Sequence, residues 1–181
     1  MKQIKAYAIF KLIKWKVVTP LRIQNRWIVF GLFLICAILV VIGLQQYRQT
    51  KTVDLSDTTI NNIQLNQTFN DKGYEINKKI KMERFKFYSD KEHPNLTVKV
   101  RKKDNVVKGI MLVKDSTVNT SFDGNIGDSI DDVINQLGFG YKKNNIGKKY
   151  ESIKYLDRDH HMKLNLLFEN REIKRIEFFS H

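Results

Sequence analysis

The sequence predicts an α+β protein in which an N-terminal transmembrane helix precedes an extracytoplasmic antiparallel sheet with short helices. Three observations predict this class. An uncharged, apolar run of eighteen residues extends from Trp27 to Leu44. A helical pattern with its own start and stop signals lies at 126–138. Three strand-like runs occur twice in the same order, after Glu83 and after Glu151, which predicts a duplicated α-β-β-β unit.

The apolar run predicts a membrane anchor. At 1.5 Å per residue it spans about 27 Å as a helix, close to the hydrocarbon thickness of a bilayer. Trp27 and Tyr47 stand at its ends, where aromatic rings prefer the headgroup level, and Arg26 and Arg48 flank them. The alternative, a buried core helix, is disfavoured because one that is apolar on every side would have nothing to cover it in so small a protein. We therefore predict a transmembrane helix over 27–47.

A cleaved leader is the main alternative to a retained anchor. The run is longer than a signal-peptide core, and the following "GLQQYRQT" offers no small-x-small cleavage pattern. Cys36 does not fit a lipoprotein site because Ile35 stands where a small residue is expected. We interpret Cys36 as an ordinary residue of the helix and the span as retained.

The distribution of charge predicts the orientation. Residues 1–47 contain no Asp or Glu and hold seven of the 32 basic residues, so the formal net charge of +13 is partly an N-terminal property. Short basic flanks stay in the cytoplasm, which predicts a cytoplasmic N-terminus and an extracytoplasmic C-terminal part. Cys36 is the only cysteine, so that part has no disulfide.

The segment 1–26 is predicted to be a basic amphipathic helix that Pro20 interrupts before the span. Its apolar residues at helical spacing are Ile4, Ala8, Leu12 and Trp15. Its lysines are predicted to contact anionic lipid, and they are Lys2, Lys5, Lys11, Lys14 and Lys16. The alternative is that these lysines only set the topology. Nucleic acid is excluded as a partner because groove-reading and stacking context is missing.

After a polar linker at 48–57, the strongest helix pattern of the chain lies in "IGDSIDDVINQLG". Its apolar residues follow the spacing i, i+3, i+4 and i+7, and they are Ile130, Val133, Ile134 and Leu137. Asp128 or Ser129 caps the start, and Gly138 suits the left-handed stop. The nearby Asp131 and Asp132 are interpreted as helix-capping residues, because the spacing of a calcium loop is absent.

Two stretches align over three strands and predict two modules, 58–118 and 119–181. The alternating runs "MKLNLLF" and "IKRIEFF" of the second copy match "LTVKV" and "VVKGIMLV" of the first, with two extra residues in the first hairpin turn. In the strand before them, Phe85 and Phe87 are matched with Ile153 and Tyr155. Upstream, "LNQTF" aligns with "IGDSI", each followed by a predicted helix.

These repeated stretches, "INNIQLNQTF" and "NIGDSIDDVINQLG" with their hairpins, resemble the short α-β modules of bacterial envelope proteins. Such modules occur in the small outer-membrane lipoprotein family, in the β-lactamase-inhibitor-like fold and before secreted CAP domains. The resemblance covers 58–179. It implies an antiparallel sheet with helices on one face, protein binding at the envelope and no catalytic residues. The chain departs from these families by lacking a lipidation cysteine and a CAP domain.

No cluster in the sequence predicts catalysis, and we expect neither an enzyme nor a cofactor. The best metal candidate is "YLDRDHHMK", but neighbouring side chains of a strand point to opposite faces, so we interpret it as a polar hairpin loop without metal. The corresponding loop of the first copy contains His93. If the copies pair, the two loops meet and form a binding rim, whose residues are Tyr88, His93, Asp157, Asp159, His160 and His161.

The sequence thus favours a single-pass protein that holds a binding module for a protein partner at the outer face of a bacterial membrane. The alternative is an accessory or regulatory subunit that acts through the span and the basic N-terminal helix. The stretch "RKKDN" from Arg101 is interpreted as a solvated turn, and the alternative is a contact with anionic wall polymer or lipid.

Overall fold

The computed structural model describes residues 26–180, apart from the side chains of 26–27, 45–46 and 48–50. The chain forms two compact units that divide between Val41 and Ile42. Helix α1 is Arg26–Thr50, and the apolar side chains from Ile28 to Leu44 are exposed. Among the described residues, no helix is long and apolar enough to cross a membrane.

The second unit is built on an antiparallel sheet of eight strands, which confirms the α+β class. A separate two-stranded hairpin is formed by β1 (Thr59–Ile60) and β2 (Ile63–Gln64). The large sheet comprises β3 (Tyr74–Ile76), β4 (Phe85–Asp90), β5 (Leu96–Arg101), β6 (Val106–Val113), β7 (Tyr141–Ile146), β8 (Tyr150–Asp157), β9 (Met162–Glu169) and β10 (Glu172–Ser180). Its order is β3-β4-β5-β6-β10-β9-β8-β7, so two four-stranded meanders meet at β6 and β10.

The register of the central strand pair is symmetric with respect to the two meanders. Met111 lies opposite Glu177, and these residues are equivalent in the alignment of the two halves. On either side of this pair, Ile110 lies opposite Phe178 and Leu112 lies opposite Ile176. If each residue is exchanged for its equivalent in the other half, the same set of pairs results. The geometry is that of a two-fold axis through the middle of the sheet.

Both meanders carry a β-bulge at the same position. Lys108 is the extra residue of β6 opposite the Lys99–Val100 step of β5. Lys174, its equivalent, is the extra residue of β10, between Ile173 and Arg175. A bulge bends and twists a strand locally, so both halves of the sheet are bent at matching places.

The segments that precede the meanders also match. The N–H of Asn66 donates to the carbonyl of Val107 at 2.9 Å, and the N–H of Gly127 donates to that of Ile173 at 2.9 Å. Asn66 and Gly127 both have positive φ, 64° and 99°, a conformation that Asn and Gly tolerate best. These contacts hold the "LNQTF" and "IGDSI" segments against the two hairpins in the same way.

One face of the sheet forms the core with these segments. The alternating strand residues on this face are buried, and those of the two central hairpins are Leu96, Val98, Val100, Val107, Ile110, Leu112, Leu164, Leu166, Phe168, Ile173, Ile176 and Phe178. Side chains from the preceding segments cover them, and these are Leu55, Ile60, Leu65, Phe69, Val118, Phe122, Ile126, Ile130 and Val133. The sheet therefore has one covered face and one open face.

Helix α2 (Ile130–Leu137) lies where the sequence predicts it. The Ser129 hydroxyl accepts the N–H of Asp131, and Gly138 ends the helix with φ 79°. The predicted helix of the first half is wrong, because the described residues 65–73 contain turns and an isolated bridge from Thr68 to Val106 but no helix. There the Asn70 side chain accepts the N–H of Lys72, and such a local turn competes with a helix.

The predicted match of the first strands is wrong in register. Tyr88 pairs with Val98 and Ile153 pairs with Leu166, so Tyr88 is the equivalent of Ile153 on the covered face. Phe85 and Phe87 consequently belong to the open face. The sequence "FKFYSD" places aromatic residues at both parities, so the period of two does not decide which face they occupy.

Candidate binding surfaces

The two histidine loops lie at opposite ends of the sheet, so the predicted common rim is wrong. The β4–β5 loop, 91–95, adjoins the end of β6, where the N–H of Val113 donates to the carbonyl of Asn95. The β8–β9 loop, 158–161, adjoins the end of β10 instead, because Ser180 pairs with Met162. Since β6 and β10 are antiparallel, their last residues lie at opposite ends of the sheet. The copies pair through strands and not through these loops.

The first histidine loop is organised by a buried carboxylate. Asp90 Oδ1 accepts the N–H groups of Glu92 at 2.8 Å and of His93 at 3.1 Å. The ring Nδ1 of His93 lies 3.2 Å from Asp115 Oδ2. Tyr88, which was predicted to belong to a binding rim, is buried in the core. These contacts describe a structured turn.

The second histidine loop repeats this design at Asp157, whose side chain is only 1% exposed. Oδ1 of Asp157 accepts the N–H of His160 at 2.9 Å. Oδ2 accepts the N–H of Leu55 at 2.8 Å and lies 2.9 Å from His160 Nδ1. Burial favours the neutral carboxyl, yet these hydrogen bonds keep the pKa of Asp157 below its ordinary value. The contact with Asp157 in turn raises the pKa of His160.

Asp157 also fastens a short segment, 52–55, which we call the strap. The N–H of Val53 donates to the carbonyl of Leu156 at 3.0 Å. The hydroxyl of Thr52 accepts the N–H of Arg158 at 3.1 Å. Together with the bond from Leu55 to Asp157, these contacts fix the strap to the last residues of β8.

One group of side chains in the described part of the chain has the composition of a metal site, namely Asp54, Asp157 and His160. Their donor atoms lie within 4.8 Å of one another. However, both oxygens of Asp157 already accept hydrogen bonds, and His160 Nδ1 is engaged with one of them. The predicted metal candidates Asp159 and His161 do not belong to this group. The arrangement suits a hydrogen-bonded lock better than an ion.

We expect the contact between Asp157 and His160 to make stability depend on pH. A pKa that is raised on folding stabilises the native state most below the ordinary histidine value near 6.5, and this contribution is lost as pH rises through the raised pKa. The stability difference between the wild type and His160→Gln should therefore be larger at pH 5.5 than at pH 8.5. Urea unfolding of both proteins at the two pH values measures it. A difference that grows with pH would contradict the assignment.

The open face of the sheet is a second candidate surface, which the sequence analysis did not single out. Its residues alternate with the core residues along each strand, and most are partly exposed. The apolar ones are Phe85, Met111, Val113, Leu156, Leu167 and Phe179, with Phe87 buried among them. The cationic ones are Lys99, Arg101, Lys142, Lys154, Lys163 and Arg175. The same face also carries Glu169 and Glu177, of which Glu177 pairs with Arg175. The face therefore combines apolar area with an excess of positive charge.

Local contacts arrange the centre of the open face. A side chain at Gly109 would collide with the Phe179 ring, 2.5 Å from the nearest ring carbon, so glycine lets that ring lie flat on the sheet. Beside it, Lys99 Nζ lies 4.0 Å from the centroid of the Phe85 ring, a cation–π contact. Glu177 accepts a hydrogen bond from the Asn165 side chain at 2.9 Å.

The predicted membrane contacts lie mostly beyond what the structure describes. Tyr47 is 72% exposed. The side chains of Arg26, Trp27 and Arg48 lie outside the described residues, as do Lys2, Lys5, Lys11, Lys14 and Lys16. These contacts stay predictions.

Comparison with protein families, with curated proteins and with solved structures finds no match to this chain. The resemblance to bacterial envelope modules therefore stays a prediction.

Proposed function

We propose that this chain is a single-pass, membrane-anchored extracytoplasmic binding module of a bacterial cell envelope, which recognises a protein partner with the open face of its sheet. The observation that carries the proposal is the asymmetry of the sheet. Its own segments cover one face, whereas the other presents partly exposed apolar and cationic side chains. Aromatic residues, Met and Arg are enriched in protein interfaces relative to the remaining surface, whereas Lys is depleted, so the apolar side chains support the proposal and the lysines belong to the rim.

The composition of the open face suggests the chemistry of the partner. Phe179, Met111 and Leu167 offer an apolar centre, and Lys99, Lys154 and Lys163 add cations around it. None of these three lysines belongs to an ion pair of the described residues. A protein with an apolar protrusion inside an acidic rim is complementary to this pattern.

The proposed anchor rests on the uncharged run and on α1. The uncharged run begins at Trp27. Its described apolar side chains, from Ile28 to Leu44, are exposed. Buried in lipid, these side chains would leave water, and the basic residues before them would stay in the cytoplasm. Confinement to the membrane raises the effective concentration of the module near partners of the same membrane.

We further propose that the two meanders arose by duplication of one unit. Supporting this are the symmetric register at Met111 and Glu177, the matching bulges at Lys108 and Lys174, and the matching preceding segments. The proposed unit is corrected from the sequence analysis, since four strands recur and the helix does not. Duplication would give the open face its continuous width, because joining two units at β6 and β10 removes one edge from each.

Site-specific photocrosslinking in intact cells tests the proposed interface. The full chain carries the crosslinking residue at Leu167 on the open face or, as a control, at Asn135, which is exposed on α2. We expect Leu167 to capture one defined protein that Asn135 does not capture. Reversing the charge of Lys163 to Glu should reduce this adduct at least severalfold, because it places an anion against the acidic rim.

Two outcomes would overturn the proposal. Recovery of lipid or wall polymer alone from Leu167 would contradict protein recognition. Protection of the region after Tyr47 from protease in whole cells, with digestion after lysis, would contradict the orientation. A truncation of 1–26 that retains an anchor tests the alternative of a regulatory subunit, and loss of function would favour that alternative. Residues 1–25 of this segment lie outside the described residues.

A further inference from the structure

The two meanders differ most at one end of the sheet, where the first has longer loops. The β3–β4 loop spans 77–84, whereas its equivalent between β7 and β8 spans only 147–149. The β5–β6 turn spans 102–105, whereas its equivalent between β9 and β10 spans 170–171. Both additional segments lie in the first half. We refer to residues 77–84 and 101–104 together as the basic tip.

The two parts of the basic tip contact each other. The N–H of Lys102 donates to the carbonyl of Arg84 at 3.0 Å, and its ammonium group donates to that of Met82 at 3.1 Å. A third hydrogen bond to a carbonyl, from the Asn77 N–H to Phe87 at 2.7 Å, fastens the start of the loop to β4. The basic tip is therefore one continuous surface.

Its side chains combine positive charge with exposed apolar groups. The tip holds seven cations, and they are Lys78, Lys79, Lys81, Arg84, Arg101, Lys102 and Lys103. It holds two carboxylates, of which Asp104 is paired with Arg101 at 2.8 Å. Ile80 and Met82 are 36% and 51% exposed within the tip, and the adjoining Ile76 is 54% exposed.

The strap lies at the same end of the sheet as the basic tip. Paired residues form one row across the sheet, and this row runs Phe87, Lys99, Gly109, Phe179, Lys163 and Leu156. The strap is bonded to Leu156, at one end of this row. At the other end of the row, Phe87 lies two residues after Phe85, which directly follows part 77–84 of the tip. Its partner Lys99 lies two residues before Arg101, the first residue of the other part of the tip. The strap begins only two residues after Thr50, the last residue of α1.

We propose that the basic tip docks on the anionic lipid headgroups of the membrane in which the chain is anchored. This inference rests on the proposed anchor. The strap, which follows the anchor directly, belongs to the end of the sheet that carries the tip, so that end is the one within reach of the bilayer. Lysines attract anionic headgroups, and Ile80 and Met82 supply apolar groups that enter the boundary between headgroups and acyl chains.

The exposed apolar groups favour lipid over an anionic wall polymer. A hydrated polyanion offers charge but no apolar phase, so Ile80 and Met82 would stay in water against it. Docking would also limit the free rotation of the sheet above the membrane. The tip would then act together with the proposed protein interface.

An environment-sensitive fluorophore on the full chain tests the docking. In a Cys36→Ser background, the label is attached through Ile80→Cys in the tip or through Lys148→Cys, an exposed position at the other end of the sheet. The protein is reconstituted in vesicles of phosphatidylcholine alone or with added phosphatidylglycerol. We expect the label at 80 to shift to the blue and to be quenched by lipid-borne nitroxide only with phosphatidylglycerol, and the label at 148 to do neither.

A matched pair of charge variants identifies the lysines responsible. Lys78, Lys79, Lys81 and Lys103 are replaced by glutamine in the test variant, and none of them belongs to a described ion pair. The control replaces four exposed lysines outside the tip that also belong to no described ion pair, namely Lys72, Lys114, Lys142 and Lys148, and so removes the same charge. Each lysine near an anionic surface strengthens docking about fivefold, so the test variant should abolish the response of the label at 80. The control should keep it.

The outcomes separate the docking from the anchor. If the labelled chain floats with both kinds of vesicle but the label at 80 behaves like the label at 148, the docking is overturned and the proposed anchor stands. If the chain floats with neither, the anchor and the proposed function fail. A response at 80 that persists in the test variant would exclude the tip lysines as its cause and overturn the proposal.

Discussion

Replacing Phe178 with alanine is expected to lower the free energy of unfolding by about 3–5 kcal/mol. Phe178 is 0% exposed and lies on the covered face of β10, opposite Ile110 of one neighbouring strand and Leu164 of the other. Truncation removes the ring from this contact and leaves a cavity at the junction of the two meanders. A close-packed core relaxes only partly around such a cavity, which adds to the loss of burial.

The chain provides a matched control in the next residue, Phe179. This phenylalanine belongs to the same strand but lies on the open face, where it is partly exposed. Phe179→Ala should therefore cost well under half as much as Phe178→Ala. Urea unfolding of the full chain in detergent micelles, followed by near-UV circular dichroism, gives both values. Equal losses, or a larger loss from Phe179, would show that the faces are assigned wrongly.

The central hairpins are the part of the fold that the sequence specifies best. In β5 and β9 every second residue is apolar, and only one register buries all of them on one face. Helix α2 is predicted equally well because Ser129, Gly138 and the apolar spacing agree. The two extra residues of the first hairpin turn are confirmed by 102–105 against 170–171.

The edges of the sheet are the part that the pattern misses. Strand β7 reads "YKKNNI", and strand β3 has only three residues, so neither shows a run of β-branched or alternating apolar side chains. Edge strands of natural proteins are often short and charged in this way, which limits association through their free backbone groups. A sequence pattern that depends on burial therefore weakens where burial ends.

The candidate surfaces were predictable only in part. The sequence shows Asp157 and His160 as polar residues close together. Their partner Leu55 is about a hundred positions away, and no local pattern points to it. The open face emerges only once the register shows which residues avoid the core. Lys99 and Met111, for example, lie between buried neighbours in the sequence. Their place on the open face follows only from their pairing with Gly109 and Thr97.

Replacing Asp157 with asparagine is expected to lower the free energy of unfolding by about 2–3 kcal/mol. The carboxylate accepts three hydrogen bonds, from the N–H groups of Leu55 and His160 and from the His160 ring. An amide keeps one acceptor oxygen but directs a donor NH₂ group toward one of these donors. With the side chain 1% exposed, water cannot replace the lost bonds.

The loss should depend on pH with a defined sign. Because the pKa of Asp157 is below its ordinary value in the folded state, the carboxylate stabilises the protein above about pH 4, and this contribution disappears as pH falls through the lowered pKa. The difference between the wild type and Asp157→Asn should therefore be large at pH 6 and should shrink toward pH 3. Urea unfolding over this range measures it.

The strap provides a local readout that a general loss of stability would not reproduce. Hydrogen exchange at the N–H groups of Leu55 and Val53 should accelerate in Asp157→Asn, because the carboxylate that accepts the Leu55 N–H is replaced by a weaker acceptor and Val53 belongs to the same segment. Hydrogen exchange in β5, in the other half of the sheet, should accelerate only as much as the lower global stability predicts. Asp90→Asn serves as the control, since Asp90 organises the other histidine loop and has no bond to the strap. If Asp90→Asn releases the strap as strongly, Asp157 is not its lock.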